Sequence, residues 1–257
     1  MKQLLIIPDV NSLLEYDELA KSYELGYEYN DFCKPDLLDD DEKTTSIIDT
    51  YTRNYKPAFC TVHGAFYDVV PFSMDEKIQT ISDYRIVQSL EHARQVNAKS
   101  VVFHTNYNPL LNQPDYVRKW IDRNAQYWSK KLIEYPDINI YLENMFEASP
   151  DILVALSERL SIFKNYGICL DYSHATLTNV SASIWMEKLK KYIKHIHIND
   201  NDLKHDLHLA WGDGKIDRFT FYECYEKHSP NTPIVIETNS IENIKRSLNT
   251  LQEDKFL

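Results

Sequence analysis

Glycine is scarce in this 257-residue chain, with five in all. A phosphate cradle made of backbone amides needs glycines at fixed offsets, and neither GxGxxG nor GxxxxGK[ST] occurs. That counts against a dinucleotide-binding doubly wound sheet, which opens on such a turn. Cysteine is scarce as well: Cys33, Cys60, Cys169 and Cys224 stand far apart, with no CxxC pair. Thiolate metal spacing is therefore absent and no disulfide framework is expected, so the default compartment is reducing and cytoplasmic. Positive charge is short too. The 28 Lys and Arg against 39 Asp and Glu leave a net charge of −11. Nucleic-acid binders carry a basic footprint, because neutralised phosphates supply most of their non-specific affinity. The acidic balance favours a small-molecule substrate over a nucleic-acid partner. Finally, the opening MKQLLIIPDV has only a four-residue apolar run before Pro8, and no run elsewhere approaches a membrane span. No membrane partner is expected.

What the chain does have is a globular composition, 43% hydrophobic and 26% charged, with material for a sizeable core. Short β-rich runs recur along it: QLLII (3–7), LGYEYNDF (25–32), AFCTVHG (58–64), SVVFHTN (100–106), INIYLEN (138–144), GICLDYS (167–173), IKHIHIN (193–199) and PIVIETN (233–239). Segments of helical periodicity lie between them, clearest at 74–96, 115–135, 150–163 and 241–252. Alternating strands and helices imply a parallel α/β architecture, and eight repeats are the number that closes a (β/α)8 barrel. The expectation is one TIM-barrel domain over residues 1–257, with a doubly wound open sheet as the alternative.

In such a barrel, reactive groups gather where strands run into the βα loops. The C-terminal ends of the third to eighth runs carry His63, His104, Glu143, Asp171 with His174, His197 and Glu237. A lone strand histidine is more often a hydrogen-bonded core residue, and a lone strand-end acid more often a helix cap. Six metal-binding residue types at six consecutive strand ends read instead as a site. Alternation puts Thr61, Val102, Tyr141, Cys169, His195 and Val235 one layer below them on the same face. Leu142, Leu170, Ile196, Ile198 and Ile236 then point outward to the helices. His195 reads as a partner of a ligand, and His92, His205 and His228 as ordinary helix or loop residues. The stretch KHIHINDNDLKHDLHLAWGDG (194–214) interleaves four of the nine histidines with aspartates.

The motifs VHGAF, VVFHTNY, IYLEN, ICLDYSHA, HIHINDND, DLHLAWGDGKID and IVIET, spread over about residues 58–240, resemble the xylose-isomerase-like TIM barrels. That superfamily includes sugar isomerases and epimerases and the apurinic-site endonucleases of the endonuclease-four type (AP endonuclease family 2). Resemblance to the epimerases implies one divalent ion, Mn²⁺ or Zn²⁺ foremost, held by Glu143, Asp171, His197 and Glu237. It implies that Glu143 and Glu237 are the catalytic acid and base, acting through a metal-bound enediolate, and that His174 binds a substrate oxygen. Resemblance to the endonucleases implies a zinc-dependent phosphodiesterase with up to three Zn²⁺ and a wider ligand set: His63, His104, Glu143, Asp171, His174, His197, Asp206, His208 and Glu237. An uncharacterised sugar-isomerase-like branch carries HxHxxDNDxxxDxHLxxGxGxID, which HIHINDNDLKHDLHLAWGDGKID matches closely; there Asp206 and His208 shape the loop.

Two departures bear on the choice. Leu203 stands where the epimerases place a basic residue, and Leu207 where the endonucleases place Arg. Residues 1–57 show no long DNA-inserting loops, but an acidic DLLDDDEK that reads as a solvated helix start. The expectation is a metal-dependent isomerase or epimerase of a small sugar or sugar phosphate. Further substrate-facing candidates are Glu28, Phe66, Tyr107 and Trp211. The 18 tyrosines and 4 tryptophans are compatible with a homo-oligomer.

Overall fold

The structure, a computed structural model, describes residues 2–53, 55–238 and 240–257. Its eight strands are β1 (Leu4–Ile6), β2 (Gly26–Tyr29), β3 (Cys60–His63), β4 (Ser100–His104), β5 (Asn139–Glu143), β6 (Tyr166–Asp171), β7 (Ile193–Ile198) and β8 (Ile234–Ile236). All pairings are parallel, and β8 pairs back onto β1 to close the barrel. Seven of the expected runs contain their strand, trimmed at the ends, and β6 begins one residue before its run, at Tyr166. The second run stops at Tyr29 because Asp31–Cys33 coil into a single 3-10 turn. Of the last run, Asn239 lies outside the described residues.

Helices α1 (Leu13–Tyr23), α2 (Pro35–Leu38), α3 (Asp41–Arg53), α4 (Glu76–Gln95), α5 (Pro114–Glu134), α6 (Asp151–Leu160), α7 (Tyr172–Thr176), α8 (Ala182–Leu189), α9 (Arg218–His228) and α10 (Ile241–Glu253) surround it. Their starts follow local chemistry. Asp75 accepts the Lys77 amide at the head of α4, Asp217 accepts two amides at the head of α9, and Pro114 occupies the first turn of α5. The acidic segment 36–43 runs from α2 through Asp39 and Asp40 into the start of α3, where Asp41 and Glu42 occupy the first turn and the helix dipole favours them. Among the described residues no helix is long and apolar enough to cross a membrane.

Strand alternation sorts the side chains as expected. Leu142, Leu170, Ile196, Ile198 and Ile236 belong to the apolar core shared with the helices. Val102, Tyr141 and Cys169 form a separate small cluster inside the barrel. This sorting positions the site. A register slip of one residue would put Ile196 or Ile198 where His197 stands.

Candidate metal centre

The ligand candidates converge on the C-terminal end of the barrel in steps: two pairs stand directly opposite each other, while His63, Glu143 and His197 each face the residue two before the next strand's candidate, Val102, Cys169 and Val235. His104 pairs across from Glu143, and Asp171 from His197. His174 follows on α7, whose first turn is held by Asp171 Oδ1 accepting the His174 amide at 2.6 Å. Asp206 and His208 arrive on the long loop after β7. That loop is pinned by Asp200, which is buried and accepts the amides of Asn201, Gly212 and Ile216 at 2.8, 2.9 and 3.0 Å. Gly214 passes so close that an added Cβ would lie 2.3 Å from Asp200 Oδ1.

Ligand atoms of the nine residues fall into three groups, each within 4.8 Å across: His63–His104–Glu143, Glu143–Asp171–His197–Glu237, and His174–Asp206–His208. Glu143 belongs to two of them. Its Oε2 lies 3.3 Å from Nε2 of His63 and of His104, and its Oε1 3.1 Å from Nδ1 of His197. Backbone carbonyls orient two of the rings. His63 Nδ1–H donates to Gly64 O and His174 Nδ1–H to Asn144 O, so both rings present Nε2 to the site. Asn144, not anticipated from sequence, also exchanges two hydrogen bonds with the Asp171 backbone and so ties β5 to β6.

The four-residue group differs from the loop group in how its atoms are satisfied. Both oxygens of Glu143, Asp171 Oδ2, Glu237 Oε2 and His197 Nδ1 are buried without a hydrogen-bond partner. Buried polar atoms seldom go unpaired, so Glu143 Oε1, Asp171 Oδ2, Glu237 Oε2 and His197 Nδ1, unpaired together, fit a divalent ion held by three carboxylates and one imidazole. In the loop group, by contrast, Asp206 Oδ2 accepts from His174 Nε2 at 3.2 Å and from His208 Nε2 at 3.1 Å; burial opposes a charge on His174, but Asp171 and Asp206 overcome it, so without an ion its ring carries both protons. That group is satisfied by its own hydrogen bonds.

Without an ion, these charges perturb one another strongly. Burial raises the Asp171 carboxyl to about 7, beyond what His174 pulls back. Burial would also raise Glu143 and Glu237, but adjacent imidazoles overcome it: Glu143 is held well below its ordinary value by His197 and His104, and Glu237 at about 2 by His197 and His208. Burial opposes a charge on His208, yet Asp206 and Glu237 raise it to about 9.

A cavity of about 480 Å³ opens over the centre, lined on one side by His63, His104, His174, Asp206, His208 and Glu237 and on the other by Pro8, Tyr16, Asn30 and Thr238. That volume suits a small molecule. Phe66 lines it, its ring 4.6 Å from that of His104. The other three substrate-facing candidates are placed elsewhere. Tyr107 is buried against Trp120 and donates its hydroxyl to Leu111 O. Trp211 is fully buried on Phe221, with its indole N–H donated to Tyr222. Glu28 is fully buried beneath the site, against His195 and His197. In each case packing has taken the side chain away from the mouth. His205 is a surface residue paired with Asp202, and His92 hydrogen-bonds Gln95, both as expected.

Residues 19–254 match the family model of the xylose isomerase-like TIM barrels. "Uncharacterized protein MJ1311" of Methanocaldococcus jannaschii is 30% identical over 203 residues, which are 75% of this chain and 68% of the relative. A D-tagatose 3-epimerase-like protein of known crystal structure is 25% identical, with a TM-score of 0.76 over 98% of this chain and 96% of its own. The TTHB071 protein from Thermus thermophilus, in a structure soaked with ZnCl2, has a TM-score of 0.80 at 20% identity, over 98% of this chain and 97% of its own; that likeness is one of fold.

Proposed function

Since this chain belongs to the xylose isomerase-like TIM-barrel family, we propose that it is a divalent-metal-dependent isomerase or epimerase of a small sugar or sugar phosphate. The observation that carries this reading is the group Glu143–Asp171–His197–Glu237, whose unpartnered donor atoms lie under a cavity of small-molecule size. The likeness to a D-tagatose 3-epimerase-like protein supports it. Mn²⁺ or Zn²⁺ suits the donor set.

A divalent ion held there supplies Lewis acidity, polarising a carbonyl and acidifying the C–H between it and a neighbouring hydroxyl. Within the four-residue group Glu237 is the carboxylate that lines the cavity, so it is the group placed to take that proton. Glu143, fully buried on the same His197 nitrogen, is the candidate for the second acid–base role. His174 lines the cavity with its orientation set by Asn144 and Asp206, as a residue that orients a substrate oxygen needs. Phe66 offers an apolar face that excludes water from the reacting carbon.

The test is deuterium wash-in. Mn²⁺-loaded protein is incubated in D2O with ketopentoses, ketohexoses and their phosphates, and the carbon next to the carbonyl is followed by proton NMR. The reading expects deuterium at that carbon together with the epimer or isomer. Turnover that leaves the carbon fully protonated would rule out the proton-transfer mechanism.

The three ligand groups, two of them sharing Glu143, favour a second reading, a zinc-dependent phosphodiesterase of the apurinic-site type. It requires nicking of abasic duplex DNA that weakens steeply with salt. The net charge of −11 and the compact cavity weigh against it.

A further inference from the structure

Glu28 has no evident structural reason to be where it is. It stands on β2, fully buried, and reaches across the barrel interior to β7, which is separated from β2 by β8 and β1. Its Oε2 accepts from Thr61 Oγ1 at 2.7 Å and from His195 Nε2 at 2.9 Å, and its Oε1 lies 2.9 Å from His197 Nε2. Neither Oε1 nor Nε2 has a hydrogen-bond partner elsewhere. A charge at this depth is costly, and an aliphatic side chain would fill the interior more cheaply.

We propose that Glu28, steadied by His195 and Thr61, is the positioning residue of the metal centre, setting which nitrogen of His197 is free to bind the ion. The argument follows from donor and acceptor roles. Nδ1 faces the two carboxylates that would share the ion, so a bound ion would take its lone pair, and the one ring proton is then on Nε2, the nitrogen facing Glu28, whose carboxylate can accept it. In the neutral imidazole that leaves the Nδ1 lone pair bare. Nδ1 is the atom turned toward Glu143 Oε1 and Glu237 Oε2, at 3.1 and 3.4 Å. His197 is therefore oriented oppositely to His63 and His174, whose Nδ1 protons go to backbone carbonyls and which present Nε2. Among the described residues no carbonyl accepts from His197; Glu28 Oε1, 2.9 Å from Nε2, is the acceptor in reach. Metal-bound histidines depend on such a partner for orientation and basicity, and losing it typically weakens metal binding about ten- to a hundredfold.

The inference rests on reading the Glu143–Asp171–His197–Glu237 group as a metal centre, and not on which reaction takes place there. Its test is the Zn²⁺ affinity of the whole chain, measured by competition with a chromophoric chelator, in the parent and in Glu28→Gln. Circular dichroism checks that the fold is retained. The expected result is binding weakened about ten- to a hundredfold with an unchanged spectrum. A second measurement needs no variant. Long-range proton–nitrogen correlation spectra of the zinc-loaded parent report the tautomer of each histidine, and the expected result for His197 is a proton on Nε2. Affinity in a folded Glu28→Gln within about twofold of the parent, or a His197 proton on Nδ1, would overturn the role of Glu28 and leave the metal-centre reading standing. A parent that takes up no Zn²⁺ would overturn both.

Discussion

Oε1 of Glu143 lies 3.1 Å from Nδ1 of His197, both side chains fully buried, while the other oxygen of the same carboxylate faces His63 and His104. One side chain thus joins the third and fourth strands to the seventh. Glu143→Gln removes the shared charge while keeping the shape. It is expected to reduce bound metal, measured by elemental mass spectrometry, and to lower turnover on the order of 10²–10⁴-fold. Full metal content with full activity would remove Glu143 from the site.

Stability of the metal-free protein should fall as pH rises above neutrality. The folded chain keeps protons that the unfolded chain releases, because Asp171 titrates near 7 rather than near 3.8 and His208 near 9 rather than near 6.5. A raised folded-state pKa gives stability that is present below the unfolded value and lost as pH climbs through the folded one. The alkaline loss therefore runs from about pH 4 to 7 for Asp171 and from about 6.5 to 9 for His208. Glu143 and Glu237 act oppositely, contributing stability that is lost only as pH drops well below 4.5. An ion on the four-residue group expels the proton retained on Asp171, so Zn²⁺ should stabilise more at about pH 8.5 than at about pH 6. Thermal unfolding with and without chelator across that range checks both signs. A metal-free melting temperature that rises between about pH 7 and 9 would contradict them.

The loop carrying Asp206 and His208 hangs on Asp200. Asp200→Ala strands three amides in a buried place and is expected to cost about 2–4 kcal/mol in thermal or denaturant unfolding. A loss under about 0.5 kcal/mol would mean that water replaces these bonds.

Phe66 and Trp211 separate cavity from core. Phe66→Ala should raise KM for the substrate found by deuterium wash-in, with little change in melting temperature. Trp211→Phe loses the hydrogen bond to Tyr222 and should cost about 1 kcal/mol of stability without changing KM. The reverse pattern would move the substrate to the other face of the loop.

The barrel is legible in the sequence because β-rich runs recur eight times and six of them end in a metal-binding residue type. His63, His104, Glu143, Asp171, His197 and Glu237 are brought together as that pattern implies. Glu28 escapes sequence reasoning because alternation fixes which face a residue takes and not its depth. The stagger between strands pairs Glu28 with Thr61, a residue of the lower layer, and a single strand cannot reveal that. Trp211 and Tyr107 escape it because an aromatic beside a glycine or within a loop has no periodicity to say which way it turns. The role of Asp200 is hidden because its partners Gly212 and Ile216 lie far along the loop and offer only backbone amides. Helix α9 gives little signal: Phe221, Tyr222 and Tyr225 share its buried face, but Phe219 sits off that face and is exposed.

The central claim is an ion held by the four-residue group, with the Asp206–His208 loop satisfied by its own hydrogen bonds. The most direct test is metal content per chain, on protein purified without added metal, in the parent, in Asp206→Ala/His208→Ala and in Asp171→Asn/His197→Gln. The account predicts about one tightly held divalent ion in the parent, kept by the first variant and lost by the second. About three Zn²⁺ per chain, falling in Asp206→Ala/His208→Ala, would contradict it and turn the reading to phosphodiester cleavage.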